Sequence, residues 1–262
     1  MRRVTTVVCV AAMTAAIACG KSETPSSSAP APDAPAAPAV DEASAATVTG
    51  KVVLEGTPPA NAPIKMSADP VCMRAAKGPQ TQEFYVVGEG GSLGNVFVYV
   101  KEGLGDRTFS TPSTVVKLDQ QGCRYTPHVF GIQVNQPLEI VNSDSTLHNI
   151  HAMPKSNAEF NTGQPVQGMK HSHKFTAKEV MVPFKCDVHP WMNAYAGVLD
   201  HPYYAVSGTD GKFEIKTLPP GNYTVEAWHE KLGTATQQVT VAAKESKDIT
   251  FTFKAAGGAA TD

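Results

Sequence analysis

The chain has 262 residues, with 22 basic and 24 acidic side chains and a formal net charge of −2. That balance excludes a field that would recruit nucleic acid or an anionic membrane surface. Only 18% of residues are charged, and 21 Gly and 20 Pro fit short strands joined by many turns, in one or two domains.

Residues 1–19 read as an export signal with a basic head, Arg2-Arg3, and an apolar run too short to span a bilayer. The run ends in Ala16-Ile17-Ala18-Cys19-Gly20. Small residues before a Cys resemble the lipobox of bacterial lipoproteins, although Ala16 stands where that family prefers Leu. The resemblance implies that Cys19 is acylated after cleavage and tethers the chain to a membrane. An ordinary cleaved signal peptide is the alternative, and both send the mature chain out of the cytoplasm, to the periplasm or cell envelope. Residues 20–46 are rich in Pro, Ala and Ser, bury too little to offset their ordering entropy, and are expected to be a disordered linker.

From Thr47 onward the periodicity is that of strands, and no long helical stripe appears. Val48, Gly50, Val52 and Leu54 alternate with polar or small residues and predict a strand ending at Gly56, before the loop Thr57-Pro58-Pro59-Ala60-Asn61. Residues 95–100 are apolar or aromatic on both faces, as a buried strand requires. A turn-rich connection, 104–114, leads to strands over 129–134, 138–141 and 180–186. In the last of these Val180, Val182, Phe184 and Cys186 share one face, so Cys186 points inward at a strand end. The style changes after Ser207. Thr209-Asp210-Gly211 and Leu218-Pro219-Pro220-Gly221-Asn222 are turn signatures. Phe213 with Ile215, Tyr223 with Val225, and Ile249, Phe251 and Phe253 alternate around them, as in a small antiparallel sandwich. Residues 255–262 read as a frayed tail.

There are five cysteines. Cys9 lies in the leader, Cys19 is the expected lipid acceptor, and Cys186 sits among metal-ligating residue types. Cys72 and Cys123 remain, an even pair in an oxidising compartment, and are expected to form a disulfide. Two buried free thiols are the alternative.

The chemistry concentrates in Phe184-Lys185-Cys186-Asp187-Val188-His189-Pro190-Trp191-Met192 and, upstream, in Asn142-Ser143-Asp144-Ser145-Thr146-Leu147-His148-Asn149-Ile150-His151. Two His, one Cys and a weak axial Met are the trigonal-plus-axial set of a blue-copper centre. Soft sulfur suits Cu(I) and imidazole suits both oxidation states, so such a set passes electrons with little rearrangement.

Residues 114–199 resemble the cupredoxin family, to which plastocyanin, pseudoazurin and amicyanin belong. The resemblance rests on Tyr125-Thr126-Pro127, the strand 129–134, Asn135-Gln136-Pro137, the strand 138–142, Asn142-Ser143-Asp144 before His148-Asn149, and the Cys-x2-His-x2-Met spacing of 186–192. It implies a Greek-key β-sandwich over 113–200 that holds one mononuclear copper on His148, Cys186, His189 and Met192, with both histidines donating Nδ1. It also implies that Asn149 ties the two ligand loops together, and that His189 exposes its ring edge as an electron port. Trp191 is a candidate member of that port; a Trp anchoring the loop into the core is the equal alternative.

The last segment resembles carboxypeptidase regulatory-like domains, on Thr209-Asp210-Gly211-Lys212-Phe213 and Leu218-Pro219-Pro220-Gly221-Asn222-Tyr223. Their usual opening resembles Thr49-Gly50-Lys51-Val52-Val53 and Gly56-Thr57-Pro58-Pro59, which here precede the cupredoxin-like stretch. The expected organisation is therefore an all-β chain whose second sandwich is discontinuous, 47–112 plus 201–254. Two tandem domains are the alternative.

Six histidines stay outside the ligand set. His171 and His173 lie on one side of an extended segment, as a second metal site or, more plainly, a solvated loop. His151 reads as an outer neighbour of the site or a surface residue. His201 and His229 read as hydrogen-bonded structural residues at a domain contact, and His128 has no assigned role. The expected function is an electron carrier with an unidentified redox partner protein and no nucleic acid. A copper-handling protein and a non-catalytic interaction module are the alternatives. An enzyme is not expected: Lys185 and Asp187, not histidines, flank Cys186, and a closed four-ligand site leaves no position for substrate.

Overall fold

The computed structural model describes residues 41–76 and 78–255. The leader with Cys19, the linker before residue 41 and the tail beyond Ala255 lie outside the described residues. The chain opens with β1 (Ala46–Glu55), β2 (Pro63–Ile64), a 3-10 turn (Met66–Ala68), α1 (Pro70–Ala75) and β3 (Gln80–Thr81). Next come β4 (Phe97–Glu102), β5 (Val116–Gln120), β6 (Tyr125–Thr126), β7 (Val129–Gln133) and β8 (Leu138–Asn142). They are followed by β9 (His148–Ala152), β10 (Phe160–Gln164), β11 (Lys170–His173), β12 (Glu179–Lys185) and β13 (Asn193–Leu199). The chain closes with β14 (Tyr204–Val206), β15 (Lys212–Leu218), β16 (Gly221–His229), β17 (Gly233–Val241) and β18 (Ser246–Lys254). No helix among the described residues is long and apolar enough to cross a membrane.

The molecule is all-β and contains two pairs of sheets. One pair is β15-β1-β18 and β14-β4-β16-β17; the other is β10-β9-β12-β13-β7 and β11-β8-β5-β6. The chain leaves the first pair after β4 and returns to it at β14. Strand alternation sets the interior of the first pair: β1 buries every second residue from Ala46 to Leu54. Phe213 and Ile215 of β15 and Phe251 and Phe253 of β18 extend that buried face within the same sheet, and Tyr223 and Val225 of β16 meet it from the other sheet. One pairing in this sandwich is parallel, β1 with β18, while β1 meets β15 antiparallel. No hairpin joins β1 to either neighbour, so no tight turn dictates an antiparallel partner.

The second pair encloses Leu118, Phe130, Ile132, Leu138, Ile140, Ile150, Val182 and Phe184. Residues 63–81 lie between β1 and β4 in sequence and were expected with the first sandwich. Met66 and Cys72 instead pack into this second core, and Cys72 is bonded to Cys123 with a Cα separation of 5.6 Å. Val180 also departs from its expected face. The ladder shifts register between Val180 and Val182, which leaves Val182, Phe184 and Cys186 in the core and turns Val180 away.

Val180 joins a third cluster, with Phe97, Tyr99, Val129, Met181 and Leu199, where the two pairs of sheets meet. Two glycines permit that approach. A Cβ on Gly131 would overlap the Tyr204 ring, and one on Gly197 would overlap Phe97. His128 bonds Glu230 across the same contact.

Candidate metal centre

Three short segments deliver the candidate donors. His148 is the first residue of β9, Cys186 directly follows β12, and His189 and Met192 lie in the turn before β13. That turn closes on itself: the Met192 amide donates to the His189 carbonyl (2.9 Å), and the Cys186 amide donates to the Met192 carbonyl (3.2 Å). Spacing of Cys-x2-His-x2-Met thus becomes one tight loop at a strand end.

The ligand atoms of His148, Cys186 and His189 lie within 4.8 Å of one another. The two Nδ1 atoms are 2.9 Å apart, and Cys186 Sγ is 3.9 Å from His189 Nδ1. His148, Cys186 and His189 are only 0%, 1% and 3% exposed, and Met192 is 1% exposed. Cys186 Sγ accepts the amide hydrogens of Asn149 (3.5 Å) and His189 (3.4 Å). Burial pushes the Cys186 thiol up, but hydrogen bonds from both histidines and these two amides outweigh it and bring the thiol down to about 6.

Each imidazole meets a carboxylate at its outer nitrogen. His148 Nε2 is 2.9 Å from Asp144 Oδ2, and His189 Nε2 is 3.1 Å from Asp69 Oδ2. A carboxylate there holds the N–H outward and turns the Nδ1 lone pair to the centre. Asp144 is itself fixed by the amides of Gly122 and Cys123, both at 2.8 Å. Burial lowers His148, yet Asp144 and Cys186 raise it to about 9 overall, so in the metal-free protein a metal must displace a proton there. Burial likewise raises the Asp69 carboxyl, but bonds from Thr146, the Cys72 and Val71 amides and His189 hold it at about 2.

A thiol that ionises readily, two imidazoles with inward lone pairs and a buried thioether in the same turn fit a copper ion. Two other close sets, Cys72–Cys123–His189 and Cys123–Asp144–His148, lack thiolates because their cysteines form the disulfide.

Asn149 Oδ1 accepts the Asp187 amide and Asn149 Nδ2 reaches Asp187 Oδ2 (3.3 Å), so it bridges the two ligand-bearing segments. Tyr125 reinforces that bridge. Its hydroxyl donates to the carbonyls of Asn149 (2.5 Å) and Lys185 (3.0 Å). His151 sits one layer out, with Nδ1 3.0 Å from Asp187 and Nε2 2.8 Å from Glu159.

One expectation for the ligand loop changes, and one of two alternatives is favoured. His189 does not expose its edge: Asp69 and Cys72, whose Sγ is 3.5 Å from Nε2, cover it. Asp69 lies 120 residues from His189 in sequence, so no local pattern announces the contact. Trp191 is half-buried and donates Nε1–H to the Cys123 carbonyl (3.0 Å), which makes it an anchor of the loop. It also lines, with Pro63, Ile64, Asp69, Pro190 and the remaining 3% of His189 that is exposed, a concavity of about 620 Å³.

His171 and His173 lie on β11 and not in a loop. Phe160 packs against both rings, stacked on His171 (5.2 Å between centroids) and tilted against His173 (4.1 Å), and their Nε2 atoms are buried without partners. Among the described residues no further His, Cys, Asp or Glu joins them in a group of three. His201 packs on Phe109 and Tyr203, and His229 Nδ1 accepts the amides of Lys231 and Leu232. The histidine at the contact between the two pairs of sheets is His128.

Residues 195–254 match the family model of the carboxypeptidase regulatory-like domain. No curated protein matches the chain. Among solved structures, a Cu-containing nitrite reductase from Thermus scotoductus SA-01 is similar at 21% identity and a TM-score of 0.32, over 37% of this chain and 25% of that one. A purple cupredoxin from Nitrosopumilus maritimus is similar at 21% identity and a TM-score of 0.28, over 32% of this chain and 98% of that one. A Cu(I) mutant of amicyanin is similar at 16% identity and a TM-score of 0.29, over 38% of this chain and 97% of that one.

Proposed function

We propose that this chain is a copper-binding electron-transfer protein with one mononuclear site formed by His148, Cys186, His189 and Met192. The observation that carries the reading is the convergence of a buried thiol and two imidazoles within 4.8 Å, each imidazole braced by a carboxylate. A bound copper would supply a one-electron couple between Cu(I) and Cu(II). The protein's part is to hold the donors still. Asp144 and Asp69 orient the rings, the amides of Asn149 and His189 hold the sulfur, and Tyr125 and Asn149 lock the two ligand segments together. Burial excludes water, so the donor geometry need not rearrange when charge changes. Donors this enclosed favour retention of the metal over its delivery, which separates an electron carrier from a copper-handling protein.

Cellular placement completes the reading. The signal-like start and Cys19 support export and a lipid tether, and the redox partner is a protein met at the envelope. Membrane-fraction protein that is released by Cys19→Ser would support the tether; wild-type protein found wholly free of membranes would end it.

The test of function is a visible absorption and electron paramagnetic resonance spectrum of the Cu(II)-loaded protein from about residue 47 onward. An intense thiolate-to-copper band with narrow copper hyperfine splitting supports the reading. A colourless protein, or an ordinary square-planar signal, means the four groups do not act together on the metal.

A further inference from the structure

The residues that cover His189 come from outside the strands that carry the donors. The chain between β1 and β4 crosses to the metal end of the other sandwich and forms a small cap of the Met66–Ala68 turn and α1. Three attachments hold the cap. Met66 and Cys72 are buried in the second core, Cys72 is bonded to Cys123, and Thr146 Oγ donates to Asp69 Oδ2 (2.7 Å). Asp69 lies at the middle of these attachments. Its Oδ1 accepts the amides of Val71 (2.7 Å) and Cys72 (3.2 Å), which fixes the carboxylate plane. Its Oδ2 is left to take Thr146, two residues before His148, and His189 Nε2–H (3.1 Å). One carboxylate oxygen therefore ties the cap to both ligand-bearing segments.

We propose that Asp69 is a positioning residue for the second metal histidine, and that the disulfide-anchored cap is a fixed shield over the ring edge through which electrons would otherwise be exchanged directly. The proposal rests on the copper reading above. A carboxylate accepting from Nε2–H raises the basicity of Nδ1 and fixes the ring's tautomer and direction. The cap leaves only 3% of His189 exposed, at the wall of the concavity it shares with Pro190 and Trp191, and so limits the approach of small solution oxidants and reductants to that sliver.

The experiment uses the soluble protein with Asp69→Asn and, separately, Cys72→Ala with Cys123→Ala. Asn is also a strong N-cap residue, so Asp69→Asn keeps the bonds to Val71 and Cys72 while removing the charge. Expected for Asp69→Asn are an unchanged far-ultraviolet circular dichroism spectrum, Cu(II) affinity lowered about 10–100-fold, and a raised reduction potential. In the metal-free protein the 15N shifts of the His189 ring should move from the Nε2–H tautomer toward a mixture. Expected for the double cysteine variant is faster reduction by a small inorganic outer-sphere complex. Wild-type affinity, potential and ring shifts in Asp69→Asn would overturn the positioning role. An unchanged reduction rate in the cysteine variant would overturn the shield. Both failures are read against a wild type that shows the thiolate-copper band, whereas a wild type without that band defeats the copper reading itself.

Discussion

The two sandwiches of this chain are built to similar size by different rules. The β1/β4/β14–β18 sandwich has an interior mostly of Val, Leu, Ile, Phe and Tyr, with a few buried polar groups such as Ser207 and Glu226. The β5–β13 sandwich buries Gln120, Asn142, Asp144, His148, Asn149, Gln164 and His189 toward one end. Most of these groups find partners among themselves or on nearby main chain, although Gln120 Oε1 has none among the described residues. Gln120 bonds Gln164 (2.6 Å), and Asn142 bonds the carbonyls of Thr146 and Gln164 (2.8 Å each). Burying polar groups costs free energy unless each finds a partner. The second sandwich thus trades some apolar burial for a polar frame around the three candidate donors, and the first has no comparable cluster of buried polar groups among the described residues.

Four changes test how separate the two regions are. The largest effect is qualitative. Cys186→Ser should abolish the thiolate-copper band and leave the thermal unfolding of the first sandwich unaltered; a surviving band would remove Cys186 from the centre. Phe251→Ala, deep in the apolar core beside Phe213, should cost about 3–5 kcal/mol by chemical denaturation. Colour that persists while the first sandwich unfolds would make the regions independent; joint loss would make them one cooperative unit.

Acid should weaken the first sandwich next. Burial, the largest effect, brings His229 down to about 4, against Glu230, which raises it. Its Nδ1 already accepts two amide hydrogens, so protonation breaks both bonds. Burial brings His201 down to about 4 as well. The unfolded chain binds more protons than the folded one between about pH 4 and 6.5, so stability falls as pH drops through that window. From pH 7 to 5 the loss should be on the order of 2 kcal/mol per histidine, read from the urea midpoint. An unchanged midpoint would mean that neither histidine is held neutral. The smallest effect is Gly197→Ala, which sets a methyl against Phe97 at the contact between sandwiches and should cost about 1–3 kcal/mol. A cost confined to one unfolding transition would locate which sandwich depends on that contact.

Much of this molecule is local in origin. Alternation of Val48, Val52 and Leu54, and of Phe213 and Ile215, is enough to place strands and their buried faces, because a strand's side-chain period is two. The Cys186–Met192 spacing is enough to bring a thiol, an imidazole and a thioether into one turn. Its partner His148 could be named from its own stretch and from the family resemblance. Asp144 stood in the stretch of His148 and Tyr125 only in the family resemblance, yet their roles depended on which carbonyl or ring nitrogen they would face. Val180 shows the limit within a strand: a register shift moved it to another face, and nothing in the alternation marks the shift.

What residue order alone could establish was the all-β class, the turn positions and the candidate donors, since these follow from short-range periodicity and ligand chemistry. Only the folded chain decided what covers the site. Asp69 and Cys72 reach His189 across more than a hundred residues because a connection between two strands of one sandwich folds onto the other, and contacts of that span are set by the packing of sheets.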